Sequence, residues 1–221
     1  MKRTQSQVSG MAVFAYSHHL ITNQFMNTIS KILLTCFSCL CCLNSQGQEN
    51  TSWNNDFSNS KETLKAIGRG SCTIQDGVLR SQGAYALFGS PEMQNYTFSF
   101  RARSVKEAEQ VQIWAGFRTH NRFDRYVVGM KGGLQDDLYL MRTGYMGTDE
   151  FMGVRPLGFH PVPGEWYKLR IEVCGNRIRV FVGDNTLPHI DVVDKNSSET
   201  VPQGEVSLGG GWIETEFDDL N

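Results

Sequence analysis

Proline is scarce in this chain, with six residues in 221, while glycine is plentiful at 22 and aromatics make up 11% of the whole. That balance favours many short turns between strands over a helical protein. An excess of positive charge is missing as well. Twenty-one lysines and arginines, spread along the chain, are matched by 23 acidic residues for a formal net charge of -2. No basic stripe is present to neutralise a phosphate backbone, and nucleic acid is excluded as a partner. Beyond residue 47 the only cysteines are Cys72 and Cys174, so there is no CxxC pair with zinc-ligand spacing there, and the five histidines are scattered. His120, His160 and His189 read as solvent-facing loop residues. The glycine runs Gly132-Gly133 and Gly209-Gly210-Gly211 lack the following lysine and the strand-to-helix setting of a phosphate cradle, and read as turns. There is no internal repeat, no heptad pattern and no low-complexity tract beyond a short linker.

The longest apolar run, Ile32 to Leu43, is too short to span a bilayer comfortably. Lys31 precedes it and Ser45-Gln46-Gly47 follows, a small-x-small context for cleavage before Gln48, so residues 1–47 are expected to be a secretory signal region. Residues 1–25 are long and polar for the front of such a signal, which points to Met26 as the true start. The cluster Cys36, Cys39, Cys41 and Cys42 leaves a lipid anchor as an alternative to cleavage. The expected location is secreted or periplasmic, or lipid-anchored at the cell surface. Residues 48–63 read as a polar linker, and 64–221 as one domain.

That domain reads as short alternating strands. Val111 to Arg118 alternates, Tyr126 to Met130 follows, and Lys131-Gly132-Gly133 turns the chain toward Leu138 to Met141. Cys72 to Ile74 and Val78 to Arg80 form a hairpin through Asp76-Gly77, whose residues supply the positive φ of a tight primed turn. Further strands are expected at Ala84 to Phe88, Tyr96 to Arg103, Tyr167 to Val173, Arg177 to Val182, Ile190 to Val193, Glu205 to Leu208 and Glu216 to Leu220; a helical turn is expected only at Val105 to Glu109. Roughly a dozen strands with almost no helix imply an all-β, two-sheet sandwich. Cys72 and Cys174 could form one disulfide in an oxidising compartment or remain two thiols.

Some of these segments carry a family likeness. Trp53-Asn54-Asn55-Asp56-Phe57, the Gln75 to Leu79 turn, Tyr96-Thr97-Phe98-Ser99-Phe100 and Gly116-Phe117-Arg118 stand in that order. Gly164-Glu165-Trp166-Tyr167-Lys168-Leu169-Arg170, then Arg179 to Val182, then Gly204 to Trp212 and Phe217-Asp218-Asp219-Leu220 complete it. The order resembles concanavalin A-like lectin/glucanase domains, in particular the laminin-G-like and 3-keto-disaccharide-hydrolase-like (DUF1080) modules of secreted Bacteroidota proteins, which often sit beside family 2 glycosidases. The resemblance covers about residues 53–221 and implies a concanavalin A-like jelly-roll sandwich with a glycan or polysaccharide as partner. It also implies that the chain continues past Asn221 toward a catalytic glycosidase domain.

Two functions are therefore expected in competition. One is a carbohydrate-binding module of a secreted polysaccharide-degrading system. The other is a glycoside hydrolase, either 3-keto-disaccharide-hydrolase-like or the N-terminal part of a β-galactosidase-like family 2 enzyme. For binding, Trp114 and Arg118 are expected on the non-core face of their strand, a flat ring beside a guanidinium, with Arg125, Tyr126 and Lys131 as neighbours. Trp166 and Trp212 read as structural aromatics. For catalysis, the nearest acidic pattern is Glu214, Glu216 and Asp218 at spacing two, on the face opposite Phe217, where the plain alternative is a solvated closing strand. No cofactor is expected apart from a structural calcium, for which Asp56 and Asp218 near paired terminal strands, or Asp136-Asp137, offer oxygens.

Overall fold

The computed structural model describes residues 54–221 apart from 60, 62, 134, 145–147 and 197–199. The signal region therefore lies outside the described residues, as does most of the linker's first half. Twelve strands follow one another: Lys65–Gln75 (β1), Val78–Phe88 (β2), Tyr96–Ser104 (β3), Gln112–Asn121 (β4), Asp124–Lys131 (β5) and Asp137–Thr143 (β6). Glu150–Pro156 (β7), Tyr167–Cys174 (β8), Arg177–Val182 (β9), Ile190–Val193 (β10), Glu205–Gly209 (β11) and Thr215–Asp218 (β12) complete the set. All neighbours pair antiparallel in the order β10-β9-β8-β3-β12-β2-β11-β4-β5-β6-β7, with β1 along β2.

This ribbon folds over itself at β2. Residues 79–81 of β2 pair with β12, whereas 85–88 pair with β11. Between them Gly83 takes a positive φ of 69° that lets the strand turn from one layer to the other. The protein is thus an all-β jelly-roll-like sandwich. One layer contains β3, β8, β9, β10 and β12, the other β4, β5, β6, β7 and β11, and their inward residues make a single core. Phe98 of β3 meets Phe117 of β4 with ring centroids 6.3 Å apart, and Phe100 meets Phe217 at 5.9 Å. On one flank β7 approaches β10, where a Cβ on Gly153 would stand 3.1 Å from Ile190.

Most expected strands form, and the Asp76-Gly77 turn has the predicted positive φ values of 56° and 75°. Three expectations need correction. Val78 to Arg80 and Ala84 to Phe88 are one bent strand, because Gly83 bends the chain without breaking its pairing. The segment Val105 to Glu109 is not helical: it is a turn closed by Ala108 N–H donating to the Val105 carbonyl at 3.0 Å. An unanticipated strand, β7, spans Glu150–Pro156; its alternation is interrupted by Gly153 and Pro156, and it lies mostly exposed. Finally, of the two alternatives for Cys72 and Cys174, no disulfide joins them. Cys72 sits opposite Ser81 on β2 and Cys174 opposite Arg177 on β9. With β2, β12 and β3 between β1 and β8, several inter-strand steps of ~4.8 Å separate them, well beyond the ~4.4–6.8 Å that a disulfide bridges.

Candidate functional site

Alternation along β4 does what the sequence implied as far as Phe117. Ile113, Ala115 and Phe117 enter the core, and Gln112, Trp114 and Gly116 face outward from the layer. Then Arg118 adopts φ 48°, and the pairing register slips after Phe117. This bulge turns the Arg118 side chain inward. It is 2% exposed, and its guanidinium donates to the carbonyls of Gln94 (2.9 Å), Val201 (3.1 Å) and Gly175 (2.7 Å). Arg118 ties three loops together and is not the edge of a groove. Tyr126 is likewise interior: it is fully buried, stacked on Phe117 at 5.1 Å, with its hydroxyl donating to Asp194 at 2.6 Å. Burial, then that hydrogen bond to Asp194, pushes Tyr126 up to about 12.

Trp114, Arg125 and Lys131 do share the outer face. Trp114 pairs across β5 with Gly129, which in turn pairs with Tyr139 of β6. Because Gly129 has no Cβ, the Tyr139 ring lies over it; a Cβ there would come within 2.0 Å of the ring. The Tyr139 hydroxyl lies beside the indole of Trp114, and Phe151 of β7 meets Tyr139 edge-on at 5.7 Å. Three rings therefore run in a row over β4, β6 and β7. Beside the row, the Arg125 guanidinium lies over the Tyr85 ring at 4.1 Å and reaches the Ser207 hydroxyl at 3.4 Å. Gly210 holds this group together: a Cβ there would stand 3.4 Å from Tyr85 and 3.8 Å from both Arg125 and Trp114. Lys131 is exposed at the end of β5, opposite Gln112 and Asp137.

The chemistry of this face is incomplete within the protein. Tyr85 Oη, Trp114 Nε1 and Arg125 Nε are buried and make no well-aligned hydrogen bond, although buried polar atoms are nearly always paired. Burial raises the pKa of the Tyr85 hydroxyl, against the pull of Arg125 and Arg122. Burial lowers that of Arg125, against the pull of Tyr85. At the rim stands Trp212, 78% exposed. Its backbone is fixed from both sides: its N–H donates to Gln112 Oε1 at 2.7 Å, Gln82 Nε2 donates to its carbonyl at 3.0 Å, and Gly83 N–H donates to Gly211 at 2.7 Å. Trp212 is not the buried structural ring expected from sequence. Tyr85, Tyr139 and Phe151 were missed altogether. The Tyr85 parity relative to Ala86 and Phe88 carried a usable signal, but Phe151 lay in the unrecognised β7.

The carboxylates with catalytic spacing lie on the other layer. Phe217 enters the core as expected, which places Glu216 and Asp218 on the outer face of the β12 layer. Glu216 is held by Arg80 at 3.0 Å and Arg103 at 2.6 Å, and Asp218 by Arg101 at 2.8 Å. Both carboxylates are thus held in ion pairs with arginines. Glu214 joins Glu216, Arg80, Arg103 and Lys106 around a cavity of about 420 Å³. Trp166 is half-buried, with Arg103 and Arg101 over its ring at 4.6 and 5.2 Å. The expected pairing of the terminal segments occurs, Asn55 with Leu220. In these segments Asp56 accepts from the Ser58 N–H and Asp218 is engaged by Arg101. Asp136 accepts from Gly133 N–H and pairs with His160 at 3.0 Å. Among the described residues no group of three or more His, Cys, Asp or Glu could hold a metal ion.

No protein-family model matches the sequence, and no curated protein matches it. Solved structures are similar in fold. The carbohydrate-binding module CBM66 from Bacillus subtilis superposes with a TM-score of 0.56 at 16% identity, over 70% of this chain and 90% of that one. A galectin-like-fold protein of unknown function from Bacillus subtilis gives 0.53 at 11%, over 76% and 93%. The GH43 protein BlXynB from Bacillus licheniformis gives 0.54 at 9%, over 79% of this chain and 40% of that one. These likenesses bear on the fold alone, a jelly-roll-like β-sandwich.

Proposed function

We propose that this protein is a carbohydrate-binding module of an exported polysaccharide-degrading system, and that the sugar lies on the outer face of the β4 layer. The observation that carries the reading is the coincidence of a row of rings with unpaired polar atoms. Trp114, Tyr139 and Phe151 offer apolar ring surface, while Tyr85 Oη and Arg125 Nε lack partners at the same place. A sugar ring presents both an apolar C–H face and hydroxyls, and so answers both needs. Stacking platforms contribute ~1–3 kcal/mol by analogy with base stacking. Trp114→Ala should therefore weaken glycan affinity about 5- to 150-fold and leave the fold intact. A glycan array on residues 48–221, followed by calorimetry and melting of the variant, tests it. An array with no bound glycan, or a variant that binds as wild type does, rejects the site.

The rival reading, a glycoside hydrolase, is favoured by one observation, the cavity that brings Glu214 and Glu216 together. Release of reducing sugar by the wild type and its loss in Glu216→Gln would establish it. A catalytic glycosidase domain joined to this one is also part of the proposal. So is export: mass spectrometry of exported material should find a mature N-terminus near Gln48, and retention of residues 26–47 would reject cleavage there.

A further inference from the structure

Three arginines of the described chain are buried, and two of them are fully engaged. Arg142 pairs with Asp194 at 2.7 Å and with Glu150 at 2.5 Å. Arg118 spends its donors on three carbonyls. Arg125 differs: it is 6% exposed, makes no ion pair among the described residues, and has one long contact to a neutral hydroxyl, Ser207 at 3.4 Å. Its Nε has no partner. A buried cation without a counter-charge costs much more than a buried neutral group.

The guanidinium is nevertheless well positioned. The Tyr85 ring beneath it fixes its plane at 4.1 Å, and Nη2 lies 3.8 Å from where a Cβ on Gly210 would stand, so the backbone there passes close beside it without a side chain between. A flat guanidinium held by one face, with no carboxylate paired to it, matches the two oxygens of a carboxylate or sulfate. The charged groups nearby are Arg122, which adds to the positive field, and Asp149, which opposes it from beyond β6. Lys131, farther along the same face, lies opposite Asp137.

Resting on the carbohydrate-binding reading, we propose that the glycan is acidic, and that its carboxylate or sulfate ester docks on Arg125 while its ring stacks on Trp114. The anion then supplies the counter-charge that the protein withholds. Neutral sugars gain the stacking but leave the guanidinium bare.

The test uses matched oligosaccharides with residues 48–221 or the full chain: oligogalacturonate against its carboxyl-reduced form, and a sulfated galactan oligosaccharide against its desulfated form. The two pairs separate a carboxylate requirement from a sulfate one. The acidic member of at least one pair should bind about 10- to 150-fold more tightly, the range expected for a hydrogen-bonded charge pair, and Arg125→Met should erase that difference while Arg125→Lys keeps part of it. Equal binding of acidic and neutral members, or a preference that survives in Arg125→Met, overturns the proposal and leaves carbohydrate binding standing. No binding to any oligosaccharide rejects both. If Arg125→Met fails to fold, the wild type decides: the acidic oligosaccharides should raise its melting temperature and their neutral partners should not, and equal shifts overturn the proposal.

Discussion

Arg118 shows how one backbone angle reassigns a side chain. Two-residue alternation put it beside Trp114 on the outer face, but its φ of 48° and the register slip send it into the core end, against Gln94, Val201 and Gly175. No residue type in Phe117-Arg118-Thr119 announces a left-handed conformation, so the bulge was not legible from sequence. Arg118→Met should cost about 3 kcal/mol, since three carbonyls, that of Val201 buried, lose a charged donor, and a fall in melting temperature without a specific loss of glycan affinity would show it. Asp194, close by, supports a pH prediction. Burial pushes its carboxyl up, but hydrogen bonds from Tyr126, the Asn196 backbone and Arg142 outweigh burial and hold it below the usual 3.8. Its contribution to stability is therefore complete above about pH 4 and is lost as pH falls through the lowered value. Tyr126 runs the other way: raised to about 12, it contributes fully below its ordinary value near 10 and loses that contribution as pH rises toward 12. Urea unfolding across pH should show both edges, and Asp194→Asn should remove the acidic one.

Among the elements, strands were more legible than the loops that carry function. Period-two patterns in β3, β4, β8 and β9 survive because one face of each is core and the other is not. β7 escaped notice because an edge strand with both faces largely exposed imposes no pattern on its residues. The connection from β11 to β12 read only as a glycine turn, yet it fixes Gly210 among Tyr85, Arg125 and Trp114 and holds Trp212 out to solvent. Gly209 is what lets it pass. A Cβ there would lie 2.0 Å from Ser81 Oγ and 2.7 Å from the Ala84 carbonyl, at φ 107°. Gly209→Ala should destabilise the protein by about 1–3 kcal/mol for the strained backbone alone and displace Trp212. Differential scanning calorimetry and tryptophan emission, read together, check this; an unchanged Tm would show that the loop yields freely.

For the molecule as a whole, the order of strands in the sheet matters more than their number. β12 lies between β3 and β2 and holds together the β10-β9-β8-β3 group and the β2-β11-β4-β5-β6-β7 group, yet it comes after the other eleven described strands in sequence. Its Phe217 is fully buried, and loss of a core Phe alone costs ~3–5 kcal/mol. Deleting residues 215–221 should therefore abolish cooperative melting by circular dichroism, and a deletion variant that still melts sharply would show that the two groups close without it. The same placement bears on synthesis. A ribosome delivers eleven strands before the one that joins them, so a nascent chain up to Glu214 has no complete sandwich to fold into.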